Sequence, residues 1–275
     1  MNLTFLIALI GSTFAALWDL KTTEIPDELP KVLMIFGASY FLFHSIAVGN
    51  LSYFVISLLV GTIFLLFGYL MYYLGQWGAG DAEVLAAIGY LLPFGTNLFD
   101  YACFLFSVFL VGIFYILIYS FLVSVRNRKV KLEFVNRVKK VKYLLLATNL
   151  TLFLLVFTTL YSLLHDLLYS LKLSLSSIIL ADFFYLFVIY GKLVEKICFI
   201  KKIPVSKLKV GDVLLESKLW EGINETELSK IKKRKKYVWI KEGIRFAGVF
   251  PITLLLYYFQ GCLFFSVLNF INYFL

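Results

Sequence analysis

The feature that most constrains this chain is its division into apolar blocks of about 20 residues, separated by short polar segments. A helix of that length crosses the roughly 30 Å hydrocarbon core of a bilayer. Apolar residues make up 61% of the sequence and charged residues 16%, whereas a soluble domain is about half apolar and about a quarter charged. The sequence therefore predicts an all-α, polytopic helical membrane protein.

The apolar blocks predict about eight transmembrane helices. They run Leu3–Leu17, Val32–Val48, Leu51–Leu74, Ala82–Leu92, Leu98–Val125, Leu144–Leu164, Leu175–Val194 and Phe246–Leu275. The fourth is the shortest, because only about eleven apolar residues precede Pro93. It is therefore either a short span or a re-entrant helix.

The distribution of Lys and Arg predicts how these spans are oriented. Cytoplasmic loops of membrane proteins carry an excess of positive charge. With the N-terminus outside, every Lys and Arg except Lys172 lies on the cytoplasmic side. Without the fourth span, the basic run Arg126–Lys142 would fall on the outer side. The charge pattern therefore favours the full set of spans, with both termini outside.

This organisation divides the chain into four segments. They are a membrane core (1–125), a basic cytoplasmic loop with an additional transmembrane hairpin (126–200), a cytoplasmic loop or subdomain (201–245) and a C-terminal transmembrane helix (246–275). In the third segment, a proline and a glycine among alternating apolar and charged residues, from Ile203 to Asp212, predict a small β-like piece. The basic run Lys230–Lys236 that follows is predicted to be helical.

The formal net charge of +9 raises the alternative of a nucleic-acid partner. Positive-inside topology accounts for the basic residues, which also suit contact with anionic headgroups, so membrane lipid and not nucleic acid is the predicted partner. The three cysteines are scattered and the two histidines lie far apart. A disulfide framework, a structural zinc site and a histidine metal site are therefore not expected.

Two carboxylates stand at the ends of apolar segments. Asp19 follows the first span, and Asp81 ends the glycine-rich run Gly78-Ala79-Gly80-Asp81 ahead of the fourth. The predicted threading brings both to the cytoplasmic boundary, where ionisable groups are functional candidates. Taken alone, Asp81 is typical of a helix cap and Asp19 of a solvated flank. Taken together, they indicate acid/base chemistry.

The two glycines are expected to support Asp81. Glycine adopts backbone conformations closed to other residues and lets another chain approach closely. Gly78 and Gly80 would thus present the carboxylate at the start of a helix. The helix N-terminus stabilises an ionised carboxylate by about 0.3–1 kcal/mol.

Both patches resemble the motifs of type IV prepilin peptidases, the GxGD class of membrane aspartic proteases. The first reads Asp19-Leu20-Lys21-Thr22-Thr23-Glu24-Ile25-Pro26, and the second reads Gly78-Ala79-Gly80-Asp81-Ala82-Glu83-Val84-Leu85-Ala86-Ala87-Ile88-Gly89. In that family a basic residue and an Ile-Pro pair follow the first aspartate, and a similar helix follows GxGD. The resemblance covers mainly residues 1–125. Because a cytoplasmic cysteine cluster is absent from the sequence, the chain looks most like the archaeal preflagellin and prepilin peptidases.

The resemblance implies that Asp19 and Asp81 are the catalytic pair. Two neighbouring carboxylates share one proton and activate water, so no metal or organic cofactor is implied. The implied substrates are prepilin or prearchaellin precursors, whose short basic class III signal peptides are cut at the cytoplasmic face of the cell membrane.

Four acidic residues lie near this pair in the sequence. They are Glu24, Asp27, Glu28 and Glu83. Their charge makes them candidates for binding a basic leader, while solvated loop charges are the simpler interpretation.

Two other classes of protein stay open at this point. Presenilin-like intramembrane proteases also use GxGD, although here the first aspartate comes in the first span and no Pro-Ala-Leu element follows. A transporter would use the same carboxylates as ion or proton sites, but transporters place such groups near the midplane and often contain repeats. A purely structural platform would tolerate Asn at both positions.

Overall fold

The structure is a computed structural model, and it describes residues 3–92, 98–125 and 127–266. Its helices are α1 (Leu3–Thr22), α2 (Glu28–Val48), α3 (Ser52–Tyr73), α4 (Ala79–Leu91), α5 (Leu98–Val125), α6 (Arg128–Leu164), α7 (Leu167–Val194), α8 (Glu225–Arg234) and α9 (Val249–Gln260). Helices α1, α2, α3, α5, α6 and α7 are long and apolar enough to cross a membrane. This confirms the predicted polytopic helical membrane protein.

The fourth predicted span and the eighth, which is the last, correspond to shorter helices. Helix α4 has 13 residues and is about 20 Å long, less than the roughly 30 Å of a bilayer core. The last predicted span contains α9, and its residues 267–275 lie outside the described residues. The number of crossings and their orientation therefore stay predictions.

Two compact units make up the chain, residues 1–119 with 202–275 and residues 120–201. The second unit contains the hairpin of α6 and α7. The basic run predicted as a loop is helical from Arg128 onward, because Lys, Arg, Leu and Glu favour helices and Asn127 caps the first turn. The Asn127 side chain accepts a 3.1 Å hydrogen bond from the Lys129 N–H.

Helix α4 lies at the centre of the first unit, in contact with α1, α2 and α3. Its side chains are buried around its whole circumference, together with Phe64 of α3, Phe104 of α5 and Phe250 of α9. A Cβ atom on Gly68 of α3 would lie 2.7 Å from the Cα of Ala82 in α4. The two backbones are thus in direct contact, the kind of close approach that small residues allow between membrane helices.

The polar subdomain, residues 202–245, contains most of a three-stranded sheet. The strands are β1 (Ile200–Pro204), β2 (Val213–Leu214) and β3 (Tyr237–Lys241), in the order β1-β3-β2. Strands β2 and β3 are antiparallel, with Val213 opposite Lys241. Its own small core is formed by Val205, Leu208, Ile223, Val238 and Ile240.

The sheet confirms the predicted β-like piece. The all-α prediction therefore holds for the apolar helices and not for the polar subdomain. Helix α8 ends at Arg234, so the basic run Lys230–Lys236 is helical only in its first part. The residues after it lead into β3, whose alternation of exposed and buried side chains packs one face on the subdomain core.

The sequence predicts no disulfide framework, and the structure contains one disulfide that the sequence did not indicate. Cys103 of α5 and Cys262, just after α9, form a disulfide with their Cα atoms 5.3 Å apart. Cysteines scattered in sequence meet here because α5 and α9 pack together, with the ring of Tyr257 5.6 Å from that of Phe104. Within the described residues, Cys198 is the free cysteine.

Candidate active site

Asp19 lies inside the last turn of α1, which extends to Thr22 and thus past the predicted end of the span. Asp19 is 7% exposed, so the alternative of a solvated flank is wrong. Its Oδ2 accepts a 3.2 Å hydrogen bond from the backbone N–H of Ala247, which is distant in sequence. Asp19 is therefore a buried carboxylate with a fixed hydrogen-bond donor.

Asp81 lies in the first turn of α4, one residue before the predicted span. It is 9% exposed, and its Oδ2 accepts a 3.2 Å hydrogen bond from the N–H of Gly78, so it also caps the helix. Burial and then the charge of Asp19 raise the pKa of Asp81 to about 7. The structure thus brings the two predicted carboxylates into one buried site, where the charge of Asp19 acts on the protonation of Asp81.

The glycines before Asp81 act through their missing side chains. Gly78 has a φ of −75°, and neither it nor Gly80 belongs to the glycines with positive φ, so of the two properties of glycine it is the close approach that matters here. A Cβ on Gly80 would lie 3.0 Å from the Cβ of Ile25. The Ile-Pro pair of the first motif therefore packs directly on the GxGD turn of the second.

The turn that follows Asp19 is strained. Thr23 has a φ of 65°, a left-handed conformation that is unusual for a β-branched residue. Its N–H donates to the carbonyl oxygen of Asp19 at 2.8 Å and so ends α1. Strained residues cost about 1–3 kcal/mol and persist where the surroundings fix them, often at functional sites.

A short segment before α9 holds Asp19 in place. We call Arg245–Gly248 the α9 entry segment; it forms a single turn from Phe246 and contains the Ala247 N–H. Tyr115 of α5 donates a 2.8 Å hydrogen bond to the carbonyl oxygen of Arg245. The ring of Trp77, directly before the glycine-rich run, lies 5.3 Å from that of Phe246. The segment thus joins the surroundings of both aspartates.

Three of these groups were missed in the sequence analysis. Ala247 acts through its backbone, which leaves no residue signature. Tyr115 is one of 18 tyrosines and lies in an apolar span, where it is typical of helix packing. Arg245 fits positive-inside topology, yet its charge also acts on Asp19.

The four candidate leader-binding acids occupy different places. Glu83 is half-buried and accepts a 3.2 Å hydrogen bond from the hydroxyl of Tyr69. The negative charge of Asp27 also acts on this Tyr69 hydroxyl. Glu24 is exposed and lies beside Gly211 of the polar subdomain. Glu28 is exposed in the first turn of α2, and no hydrogen bond within the described ranges joins it to the other three.

The polar subdomain adds a further acid to the same unit. Glu221 accepts a hydrogen bond from the hydroxyl of Tyr72, in the last turn of α3. The indole N–H of the neighbouring Trp220 donates to the carbonyl oxygen of Gly75 at 2.9 Å. These contacts fix the subdomain on the end of α3, close in sequence to the glycine-rich run of Asp81.

Comparison with known proteins confirms the family resemblance. Residues 6–121 match the sequence model of the type IV leader peptidase family. A relative from Methanococcus maripaludis, named preflagellin peptidase, is 29% identical over 134 residues, which cover 45% of this chain and 58% of the relative. Another of that name, from Methanocaldococcus jannaschii, is 35% identical over 92 residues, covering 33% and 38%. The chain thus matches less than two thirds of the length of either archaeal relative.

Proposed function

Because residues 6–121 match the sequence model of the type IV leader peptidase family, we propose that the protein is a membrane aspartic endopeptidase that removes short basic class III signal peptides. Its proposed substrates are prepilin or prearchaellin-like precursors, cut at the cytoplasmic face of the cell membrane. The observation that carries the proposal is the pair of buried carboxylates, Asp19 and Asp81, on the motifs of that family.

The chemistry follows from one proton shared by two carboxyl groups. The ionised carboxylate takes a proton from water, and the water oxygen attacks the scissile carbonyl carbon. The protonated carboxyl donates its proton to the carbonyl oxygen, and the roles reverse as the amine leaves. The pair supplies both acid and base, so the proposed reaction needs no metal or organic cofactor.

Cleavage of a panel of prepilin and prearchaellin precursors tests this proposal. Membranes that contain the protein are expected to release the leader and leave the hydrophobic helix of the precursor in the membrane. The precursor that is cut identifies the client. No cleavage by well-folded protein across the whole panel would favour a presenilin-like protease or a transporter that uses the same carboxylates.

The cleavage rate is expected to fall as pH rises through about 7. The raised pKa of Asp81 keeps its carboxyl protonated below that pH, and the pair loses its shared proton above it. The free energy of unfolding is also expected to fall as pH rises through the pKa of Asp81, because ionising a buried carboxyl group is unfavourable. Single-turnover cleavage rates measured from about pH 5 to pH 9 check this expectation. A rate that stays constant across that range would contradict it.

Neutralising the four acids Glu24, Asp27, Glu28 and Glu83 is expected to raise KM for a precursor with a basic leader about tenfold, or about 1.4 kcal/mol. The expected kcat is unchanged, because the acids attract the leader and do not react. Steady-state cleavage of precursors with basic and with neutral leaders separates the two constants.

The matched control is Glu216→Gln, since Glu216 is 80% exposed and pairs with Lys235 at the surface. Surface pairs of this kind contribute little. An unchanged KM in the fourfold variant would show that these acids are solvated loop charges.

A further inference from the structure

The sheet of the polar subdomain has one covered face and one open face. Helix α8 packs on the small core of the subdomain through Leu228 and Ile231 and so covers the first face. Alternation along β3 turns Tyr237 and Trp239 to the other face, where they are 59% and 51% exposed. Large apolar side chains exposed next to each other mark an interaction site.

A lysine and a leucine complete this open face, which we define as Lys202, Leu215, Tyr237 and Trp239. The Lys202 ammonium lies 5.3 Å from the ring centroid of Tyr237 and 5.9 Å from that of Trp239. Leu215 is exposed and continues the register of β2 opposite Trp239, to whose carbonyl oxygen its N–H donates at 3.0 Å. The open face thus combines a positive charge with aromatic and aliphatic surface.

The open face continues to the place where the subdomain meets α3, a helix long enough to cross a membrane. Lys241 follows Trp239 on the same face of β3, and its ammonium lies 4.5 Å from the ring centroid of Trp220. The Trp220 indole N–H donates to the carbonyl oxygen of Gly75, two residues after the end of α3. A membrane that α3 crosses therefore ends close to this face.

We propose that the open face docks on the anionic headgroups of the membrane beside the end of α3. This inference goes beyond the proposed function and does not depend on it. Trp and Tyr concentrate at the boundary between membrane and water, because their rings are apolar and their N–H and O–H groups are polar. The Lys202 ammonium pairs with a headgroup phosphate, while Leu215 and the two rings enter the boundary between headgroups and acyl chains.

The charge and the place of the open face favour lipid over other partners. Lys202 repels a basic leader peptide, so the face is not suited to the substrates of the proposed function. A nucleic acid has phosphates but no acyl chains, so it would leave Leu215 exposed to water. An anionic lipid provides both kinds of contact, at the membrane boundary where the face already lies.

Docking on lipid also restrains the α9 entry segment. Strand β3 ends at Lys241 and the segment begins at Arg245, so residues 242–244 alone join them. The segment carries the Ala247 N–H that donates to Asp19. A sheet that rests on headgroups therefore holds one end of the chain that reaches the candidate active site.

Quenching of Trp239 fluorescence by brominated lipids tests the proposal on the full-length protein in phosphatidylcholine vesicles. Bromine atoms near the headgroup end of an acyl chain quench an indole that contacts the lipid. The chain has four tryptophans, so the Trp239 signal is taken as the difference between the wild type and Trp239→Phe. Brominated phosphatidylglycerol, which is anionic, is expected to reach half of its full quenching at about a fivefold lower mole fraction than brominated phosphatidylcholine.

Variants of Lys202 test the source of this preference, each measured with and without Trp239→Phe. Lys202→Gln is expected to abolish the fivefold preference, because it removes the charge that pairs with the headgroup. Lys202→Arg keeps the charge and the contact with the rings, so it is expected to keep the preference. The matched control is Lys233→Gln, which removes one exposed charge from α8, the helix on the covered face, and is expected to keep the preference.

Three results would overturn the proposal. Equal half-quenching mole fractions for the two lipids in the wild type would exclude recognition of anionic headgroups. An equal loss of preference in Lys233→Gln and Lys202→Gln would show a response to net charge and not to this face. No quenching of Trp239 by either lipid would mean that the face does not meet the membrane and is open to a protein or a nucleic acid. The measurement needs no cleavage, so it is decided separately from the proposed function.

Discussion

Asp19→Asn and Asp81→Asn are each expected to lower kcat for precursor cleavage by about 10⁴-fold or more. Asn has the size of Asp, and its amide oxygen can accept the same backbone hydrogen bonds from Ala247 and Gly78. It cannot exchange a proton with water or the scissile carbonyl. The loss is therefore chemical, and the protein level in the membrane is expected to match that of the wild type.

The pair acts as one unit, so its variants are not expected to be additive. The double variant should cleave no more slowly than either single variant, because removing one carboxylate already removes the shared proton. The measurement is single-turnover cleavage by membranes that contain equal amounts of each variant. Asp166→Asn is the matched control, since Asp166 caps α7 and Asn caps helices equally well.

Full activity in either single variant would disprove the catalytic pair. A structural platform predicts that outcome, because it needs only the shape of the two side chains. A transporter predicts no cleavage by the wild type and a change in ion or proton movement in the variants. The experiment thus separates the peptidase from both other classes.

The pair could be predicted from the sequence because both aspartates belong to contiguous motifs. Ionisable residues at the ends of apolar segments stand out against their neighbours, and Gly80 marks the place where Ile25 approaches. The helices could be predicted for a similar reason, since each apolar block has its own length and boundaries. These features depend on local sequence.

The features that could not be predicted depend on contacts between distant residues. The donor to Asp19 is a backbone N–H, which any residue except proline would supply at position 247. The disulfide joins cysteines that are 159 residues apart. Helix α4 has only 13 residues and is too short for a full span, yet contact with α1, α2 and α3 places it at the centre of the first unit. The spacing of apolar residues shows which faces of a helix are apolar, but it does not show which other helices pack against those faces.

Gly68→Ala is expected to lower kcat about 100-fold and to destabilise the fold by about 1–3 kcal/mol. The added Cβ would lie 2.7 Å from the Cα, 2.8 Å from the Cβ and 3.0 Å from the carbonyl oxygen of Ala82. Two of these atoms belong to the backbone, so no side-chain rotation relieves the contact. Helix α4 must move away from α3, and Asp81, the residue before Ala82, moves with it relative to Asp19.

The kinetic effect exceeds the loss of stability because the two carboxylates must reach the same water and the same carbonyl group. A displacement of about 1 Å in a reacting group costs about two orders of magnitude in rate. The thermal midpoint and kcat are measured on one preparation in detergent, so that loss of catalysis in folded protein is distinguished from loss of the fold.

The matched control is Gly191→Ala in α7, where an added Cβ meets nothing within 4 Å. Alanine is a better helix former than glycine by about 1 kcal/mol, so this variant is expected to keep its kcat and to have an equal or higher thermal midpoint. Wild-type kcat in Gly68→Ala would mean that α4 can shift without moving Asp81. The close contact of α3 and α4 would then stabilise the bundle without setting the geometry of the pair.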